Sequence, residues 1–193
     1  MKSDLLNRLE NLDRLPRTGW LFCNVPLADV EDVAQHSFDV SAITLLLAGD
    51  LEREKMELDL GRALSMAIIH DWAEALTGDY PHTALKHLGT GNKREMERRA
   101  LEEMLRGTPN GKDYLEIWEE YEKGKSTEAR LVRSADYLSM LVQAIKYRER
   151  GIKSKELDEL WRAVNKDLSP YQSTFGPVRA LVAELNKKYR GIK

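Results

Sequence analysis

Hydrophobic and polar residues recur along most of this 193-residue chain with the three- and four-residue spacing of amphipathic helices. Many of these stretches begin at a capping residue and end just before Gly or Pro, as helices commonly do. No stretch shows the two-residue alternation rich in Val, Ile and Thr that is typical of strands. The pattern predicts an all-α bundle of about eight helices, over residues 3–15, 30–54, 59–77, 92–106, 112–123, 126–150, 154–168 and 177–190.

The predicted helix 59–77 is apolar on almost every face over residues 63–70 and ends in a group of ionisable side chains, His70, Asp71 and Glu74. Buried groups of this kind need partners, and a metal ion held by His and carboxylates offsets the cost of desolvating them. His36 and Asp136 lie on apolar faces of two other predicted helices. Either residue alone is more often structural than a ligand, but the combination favours a metal site.

Composition and charge narrow the kind of protein and partner. The 30 Lys and Arg residues nearly balance the 32 Asp and Glu residues, for a net charge of -2, which removes the general electrostatic argument for a nucleic-acid binder. A small-molecule partner is expected instead. Cys23 is the single cysteine, so neither an intrachain disulfide nor a cysteine-based zinc motif can form, as suits a reducing compartment. The longest apolar run, SAITLLLAG, is far too short to span a membrane, and we expect a cytoplasmic protein.

Four segments then identify a family resemblance. The pattern H…HD…D, and HDWAEALTGDYP at 70–81 in particular, resembles the HD-domain metal-dependent phosphohydrolases. More narrowly, this segment resembles their 5'-deoxynucleotidase branch, the YfbR-like and human HD-domain-containing relatives. RTGW at 17–20, EDVAQH at 31–36 and EARLVRSAD at 128–136 are similar to further segments of that branch and occur in the same order. The similarity covers about residues 5–150.

The resemblance implies one HD domain over residues 1–193, with a metal-binding core at about 30–150 and C-terminal helices at 154–190. The implied activity is hydrolysis of deoxyribonucleoside 5'-monophosphates to a deoxynucleoside and phosphate, and the implied assembly is a homodimer. The cofactor would be one divalent cation, whether Mn, Fe, Co, Ni, Zn or Mg. The ligands carried over from the family pattern are His36, His70, Asp71 and Asp136.

The resemblance also assigns roles to residues around the ligands. Glu74 would orient the attacking water or move its proton, and Asp79 would face the substrate or the water. An alternative for Asp79 is a turn residue that ends the helix. Arg17 would bind the phosphate, and Trp20 would pack on the sugar and exclude a 2'-hydroxyl. An alternative for both is an ordinary loop residue that covers the core.

Two departures from the family concern substrate preference more than metal binding: Gln35 stands where many relatives have an acid, and Cys23 where relatives often have a basic residue. Two other functions stay open. One is a phosphodiesterase or triphosphohydrolase that uses the same metal, and the other is a non-catalytic, metal-stabilised helical binding module. The charged run KREMERR at 93–99 predicts a solvated helix face.

Overall fold

The computed structural model describes residues 2–192, apart from the side chains at 82, 85 and 90. Within that range the chain forms helices and no strand, so the all-α prediction is confirmed. Besides two short 3-10 helices at Glu10–Arg14 and Leu27–Asp29, this range contains eleven α-helices, of which eight have eight or more residues. The segments are α1 (Lys2–Leu9), α2 (Thr18–Leu21), α3 (Val33–Arg53), α4 (Leu60–Ile69), α5 (Glu74–Thr77), α6 (His82–Leu88), α7 (Thr90–Leu105), α8 (Gly111–Lys123), α9 (Thr127–Glu149), α10 (Lys155–Thr174) and α11 (Gly176–Gly191).

Side-chain caps fix where several of these helices begin. Asp59, Ser126 and Ser154 each accept a hydrogen bond from the backbone N–H three residues later, at the starts of α4, α9 and α10. Asp32 and Gln35 form a reciprocal capping box at the start of α3. The box therefore sets the first turn of α3, which contains His36.

Three helices, α3, α4 and α9, pack against one another at the centre of the molecule. Small, fully buried side chains lie between them, including Ala63, Ala67 and Ala135. Because the distance between packed helices depends on the side chains at the contact, these alanines let the helices approach closely. Val40 and Val132 complete the same cluster one turn from His36 and Asp136, so the packing of this layer positions the side chains next to it.

The remaining helices enclose this centre on two sides. On one side, α10 and α11 pack on α9 around an apolar cluster that includes Trp161, Leu168 and Phe175. On the other, α8 packs on α4, α7 and α9, and α7 packs on α5. Helix α10 continues through Pro170 to Thr174 rather than ending near the proline as predicted. In the part of the chain that the structure describes, no helix is both long and apolar enough to cross a membrane.

The single helix predicted over 59–77 is in fact two helices, α4 and α5, separated by a tight turn at residues 70–73. The Trp118 indole N–H donates to the carbonyl oxygen of His70 at 3.1 Å. In a regular α-helix the N–H of Glu74 would donate to that same carbonyl. Here it donates instead to the carbonyl of Asp71 at 3.0 Å. The turn therefore changes the directions in which His70, Asp71 and Glu74 leave the backbone.

Candidate metal centre

Four side chains from three parts of the fold meet where α3, the turn after α4, and α9 come together. His36 Nε2 lies 3.2 Å from Asp136 Oδ1 and 3.6 Å from Asp71 Oδ2. His70 Nε2 lies 3.2 Å from the same Asp71 oxygen. Ligand atoms of His36, His70 and Asp71 all lie within 4.8 Å of one another, a spacing that one metal ion can bridge. The structure thus brings together all four residues that the sequence nominates as ligands.

Hydrogen bonds assign the tautomer of both imidazoles. His70 Nδ1 lies 2.8 Å from the carbonyl oxygen of Ala67, which can only accept, so Nδ1 carries the proton. His36 Nδ1 lies 3.1 Å from the Ser139 hydroxyl. That hydroxyl already donates to the carbonyl of Asp136 at 2.7 Å, so it accepts from His36. In the neutral form of each ring, Nε2 therefore carries the lone pair and faces the cluster, as metal-ligating histidines require.

The buried polar atoms of the cluster fit a divalent cation. Among the residues that the structure describes, His36 Nε2, His70 Nε2 and Asp71 Oδ2 are buried and have no hydrogen-bond partner. When the rings are neutral, their lone pairs face carboxylate oxygens at these distances and repel them, and a cation between them removes both the repulsion and the unmet polar groups. Two imidazoles and two carboxylates form a mixed nitrogen and oxygen donor set, which suits the divalent first-row transition metals.

Charges around the cluster favour ionised ligand carboxylates. Burial opposes ionisation of Asp71, but the positive charge that His70 carries when protonated, together with Arg17 and His36, holds the pKa of Asp71 well below its usual value. Asp136 follows the same pattern: burial opposes ionisation, and the contact with His36 lowers its pKa overall. The Tyr121 hydroxyl donates to Asp136 Oδ2 at 3.3 Å. A tyrosine in that position restricts how the carboxylate can turn.

Glu74 lies beside the cluster as a buried carboxylate, with only 3% of its surface exposed. Its Oε1 atom lies 3.7 Å from Lys93 Nζ on α7, and Lys93 in turn lies 2.7 Å from Glu97 Oε1. Oε2 is buried and has no hydrogen-bond partner among the described residues. Burial, and then the charges of Asp71 and Asp79, raise the pKa of Glu74 well above its usual value.

The prediction of a solvated face at 93–99 is therefore correct for only part of that segment. Glu95 pairs with both Arg98 and Arg99 on the outer side of α7. Lys93 and Glu97 turn inward instead, and Glu97 is buried.

Arg17 and Asp79 also reach the cluster, and they do so as a linked pair. Gly78 ends α5 with φ +82°, a backbone conformation that favours glycine, and the chain turns so that Asp79 meets the segment before α2. Asp79 Oδ2 accepts hydrogen bonds from the Thr18 N–H at 2.5 Å and from the Thr18 hydroxyl at 2.8 Å. The Arg17 guanidinium lies 3.3 Å from Asp79 and 3.6 Å from Asp71. Asp79 therefore holds the Arg17 segment against the cluster.

Trp20 is placed differently from the sequence expectation. The ring is 2% exposed, its N–H donates to Glu31 Oε1 at 2.8 Å, and its edge meets the ring of Tyr147 with centroids 5.1 Å apart. Because both the ring and its polar atom are occupied by the protein, the ring offers no open face on which a sugar could pack. Trp20 anchors the segment after Arg17 to the core, and the expected sugar contact stays a prediction.

Sequence reasoning missed the residues that support the ligands. Ser139 and Tyr121 contact His36 and Asp136, and Trp118 holds the turn at His70. Ser139 follows Asp136 by three residues on a helix, so it shares a face with a nominated ligand, and this spacing was an available signal. Tyr121 and Trp118 come from another helix and leave no local signal.

Comparison with known proteins gives a consistent relationship. A family model described as HD domain matches residues 9–173. The 5'-deoxynucleotidase HDDC2 of Danio rerio is 30% identical over 152 residues, covering 78% of this chain and 71% of that protein. The protein of the same name from Homo sapiens is 28% identical over 158 residues, covering 81% and 72%. A conserved hypothetical protein of Pyrococcus furiosus has a solved structure that matches with a TM-score of 0.79 at 38% identity, covering 95% and 98% of the two chains.

Proposed function

Because the chain belongs to the HD domain family, we propose that it is a metal-dependent 5'-deoxynucleotidase, which hydrolyses deoxyribonucleoside 5'-monophosphates to a deoxynucleoside and phosphate. One observation carries this proposal. Two buried imidazoles present free Nε2 lone pairs to two carboxylates, and a further buried carboxylate, Glu74, stands beside them with a free oxygen. This is a metal-ligand set together with a group able to handle a proton.

In this proposal His36, His70, Asp71 and Asp136 hold one divalent cation. The contacts of Nδ1 with Ala67 and Ser139 support it, since they fix both rings in the tautomer that ligation needs. A bound cation supplies Lewis acidity for attack at phosphorus. The donor set suits Mn, Fe, Co, Ni and Zn, and Mg is a further candidate.

Glu74 orients the attacking water and accepts its proton. Its buried position and its unpartnered Oε2 support this role, because a carboxylate oxygen with no protein hydrogen bond can accept one from water. General acid–base catalysis of this kind contributes about 10²- to 10⁴-fold to a rate.

Arg17 binds the phosphate dianion. Its guanidinium lies among acidic side chains at the edge of the cluster and carries a charge that no pH in the working range removes. Asp79 acts by keeping Arg17 and Thr18 in place, and through them it affects substrate binding.

The proposal is tested by phosphate release from dAMP, dTMP and the matching ribonucleotides, with Mn²⁺ or Co²⁺ added to metal-free protein. We expect release from the deoxynucleotides to exceed that from the ribonucleotides, and EDTA and His70→Ala each to abolish it. His87→Ala is the matched control, because His87 is exposed on α6. Activity that survives both EDTA and His70→Ala would refute the proposal.

The same panel includes a deoxynucleoside triphosphate and a cyclic nucleotide. Turnover of these in preference to the monophosphates would identify a triphosphohydrolase or a phosphodiesterase. If no phosphoester were hydrolysed, although the metal bound and raised the unfolding temperature, the chain would be a metal-stabilised binding module.

Homodimerisation and a cytoplasmic location stay predictions. The outer face of α3 supports a dimer, because it exposes Phe38 to 73%, together with Leu45 and Leu46. Light scattering on the purified protein measures the mass directly, and Phe38→Ser should reduce it to that of the monomer if this face is the interface.

A further inference from the structure

Lys93 and Glu97 form a largely buried ion pair on the face of α7 that packs against α5, the helix that begins with Glu74: Glu97 is buried and the Lys93 side chain is 24% exposed. They lie four residues apart on one helix, and Lys93 Nζ is 2.7 Å from Glu97 Oε1. Other i,i+4 ion pairs of the chain, such as Lys123 with Glu119, lie on the surface. The buried pair also reaches outside its own helix, since the same ammonium lies 3.7 Å from Glu74 Oε1.

Fold stability gives no reason for this arrangement. Withdrawing two carboxyl groups and most of a lysine side chain from water costs free energy that their mutual attraction often does not return, and well-packed apolar side chains would serve the fold as well or better. The polar atoms are also unevenly satisfied: Glu74 Oε1 has a cation close by, whereas Oε2 is buried with no hydrogen-bond partner in the described chain. One carboxylate oxygen is thus held in place and the other is left free.

We propose that Lys93 is a positioning residue for the reaction: it holds Glu74 Oε1 so that Oε2 faces the attacking water, and Glu97 holds Lys93. This inference rests on the proposed function, since it assigns Lys93 and Glu97 to the carboxylate that handles the proton. Lys93 touches no reacting atom. It acts by fixing the rotamer of Glu74 and by supplying the one cation within ion-pair distance of that buried carboxylate among the described residues, in addition to the more distant charge of Arg17.

The first test is steady-state hydrolysis of dAMP with saturating Mn²⁺. Lys93→Met should lower kcat on the order of 10- to 100-fold, because a misplaced catalytic group can cost about 10²-fold. KM should change by less than about threefold, since the phosphate site at Arg17 is left intact. Lys93→Arg keeps the charge and should recover part of kcat, and Glu97→Gln should fall between Lys93→Met and the wild type.

Lys123→Met is the matched control, because it also removes a lysine from an i,i+4 ion pair, but on the outer surface of α8. Its kcat should equal that of the wild type. Wild-type kcat in Lys93→Met, or the same loss in Lys123→Met, would overturn the proposal.

A second test does not depend on activity. Thermal unfolding of the metal-free protein is compared for Lys93→Met, Glu74→Gln and the double variant. Removing the cation alone leaves Glu74 as an unpaired buried carboxylate, so the double variant should unfold at a higher temperature than Lys93→Met. Additive effects of the two changes would show that Lys93 does not hold Glu74. If the wild type hydrolyses no deoxynucleotide, the proposed function fails, and this cycle still decides whether the two side chains are coupled.

Discussion

Ser139→Ala should weaken metal binding without touching a ligand. The Ser139 hydroxyl is buried, donates to the carbonyl of Asp136 at 2.7 Å and accepts from His36 Nδ1 at 3.1 Å. Without it, the N–H of His36 has no acceptor when Nε2 binds the metal. The ring can then take the other tautomer or turn, and metal binding has to reverse that change.

The size of the effect follows from the burial of the His36 N–H, which loses its acceptor. Leaving a buried donor unsatisfied costs about 1–3 kcal/mol. At about 1.4 kcal/mol per tenfold change, that is a loss of about 5- to 150-fold in affinity. Removing one hydrogen-bond partner of a metal-ligating histidine typically lowers metal affinity about 10- to 100-fold, which falls in the same range.

The assay is calorimetric titration of metal-free protein with Mn²⁺, for the wild type, Ser139→Ala and Ser134→Ala. Ser134 is the matched control: it is buried on the same helix and donates to the carbonyl of Leu131 at 2.7 Å, but it does not contact a histidine. Alanine suits a helix interior, so both variants should fold. The reasoning is refuted if Ser139→Ala binds Mn²⁺ within about twofold of the wild type, or if Ser134→Ala loses as much affinity.

Two further predictions concern stability. Gly78→Ala should lower the free energy of unfolding in urea by about 1–3 kcal/mol, because φ is +82° there while no atom lies within 4 Å of the added methyl; Gly49→Ala, inside α3, should be neutral or stabilising, and equal effects would contradict the argument. Asp158→Asn should destabilise the protein at pH 7 by less than about 1 kcal/mol, because its side chain is 46% exposed. The Tyr189 hydroxyl, followed by Arg148, lowers the pKa of Asp158, so its contribution is present above the unfolded value of about 3.9 and is lost as the pH falls through the lower folded value. Melting curves from pH 7 to about 2 should therefore converge for the two proteins, and a constant gap would argue against the assigned cause.

Helix boundaries could be predicted where a short-range signal exists. Asp59, Ser126 and Ser154 cap their helices with hydrogen bonds that span three residues, so their sequence neighbourhood contains the cause. The break after α4 could not be predicted this way. Residues 70–73 contain neither Gly nor Pro, and the hydrogen bond that accompanies the break comes from Trp118 on α8.

The same distinction between short-range signals and tertiary contacts applies to the candidate site. The nominated ligands and Glu74 lie in recognisable motifs, and they lie together in the structure. The surroundings of Trp20 and Lys93 could not be predicted because they are tertiary: Glu31 and Tyr147 contact Trp20, and Lys93 lies near Glu74. The helical spacing of apolar and polar residues shows on which face of a helix a residue lies. It does not show which residues from other helices that side chain contacts.

The wide separation along the chain of residues that meet at the centre has a consequence for the order of folding. His36 and Ser139 are 103 residues apart in sequence, so their contact closes a long loop. The chain loses the entropy of closing that loop before the contact can offset it. Helices with local caps can begin to form early, while the centre appears only when α9 docks on α3 and α4. Nascent chains that end before α9 lack Asp136 and Ser139 and hold an incomplete set of ligands. A cation held by these four residues would therefore bind only after α9 has been made and has docked on α3 and α4.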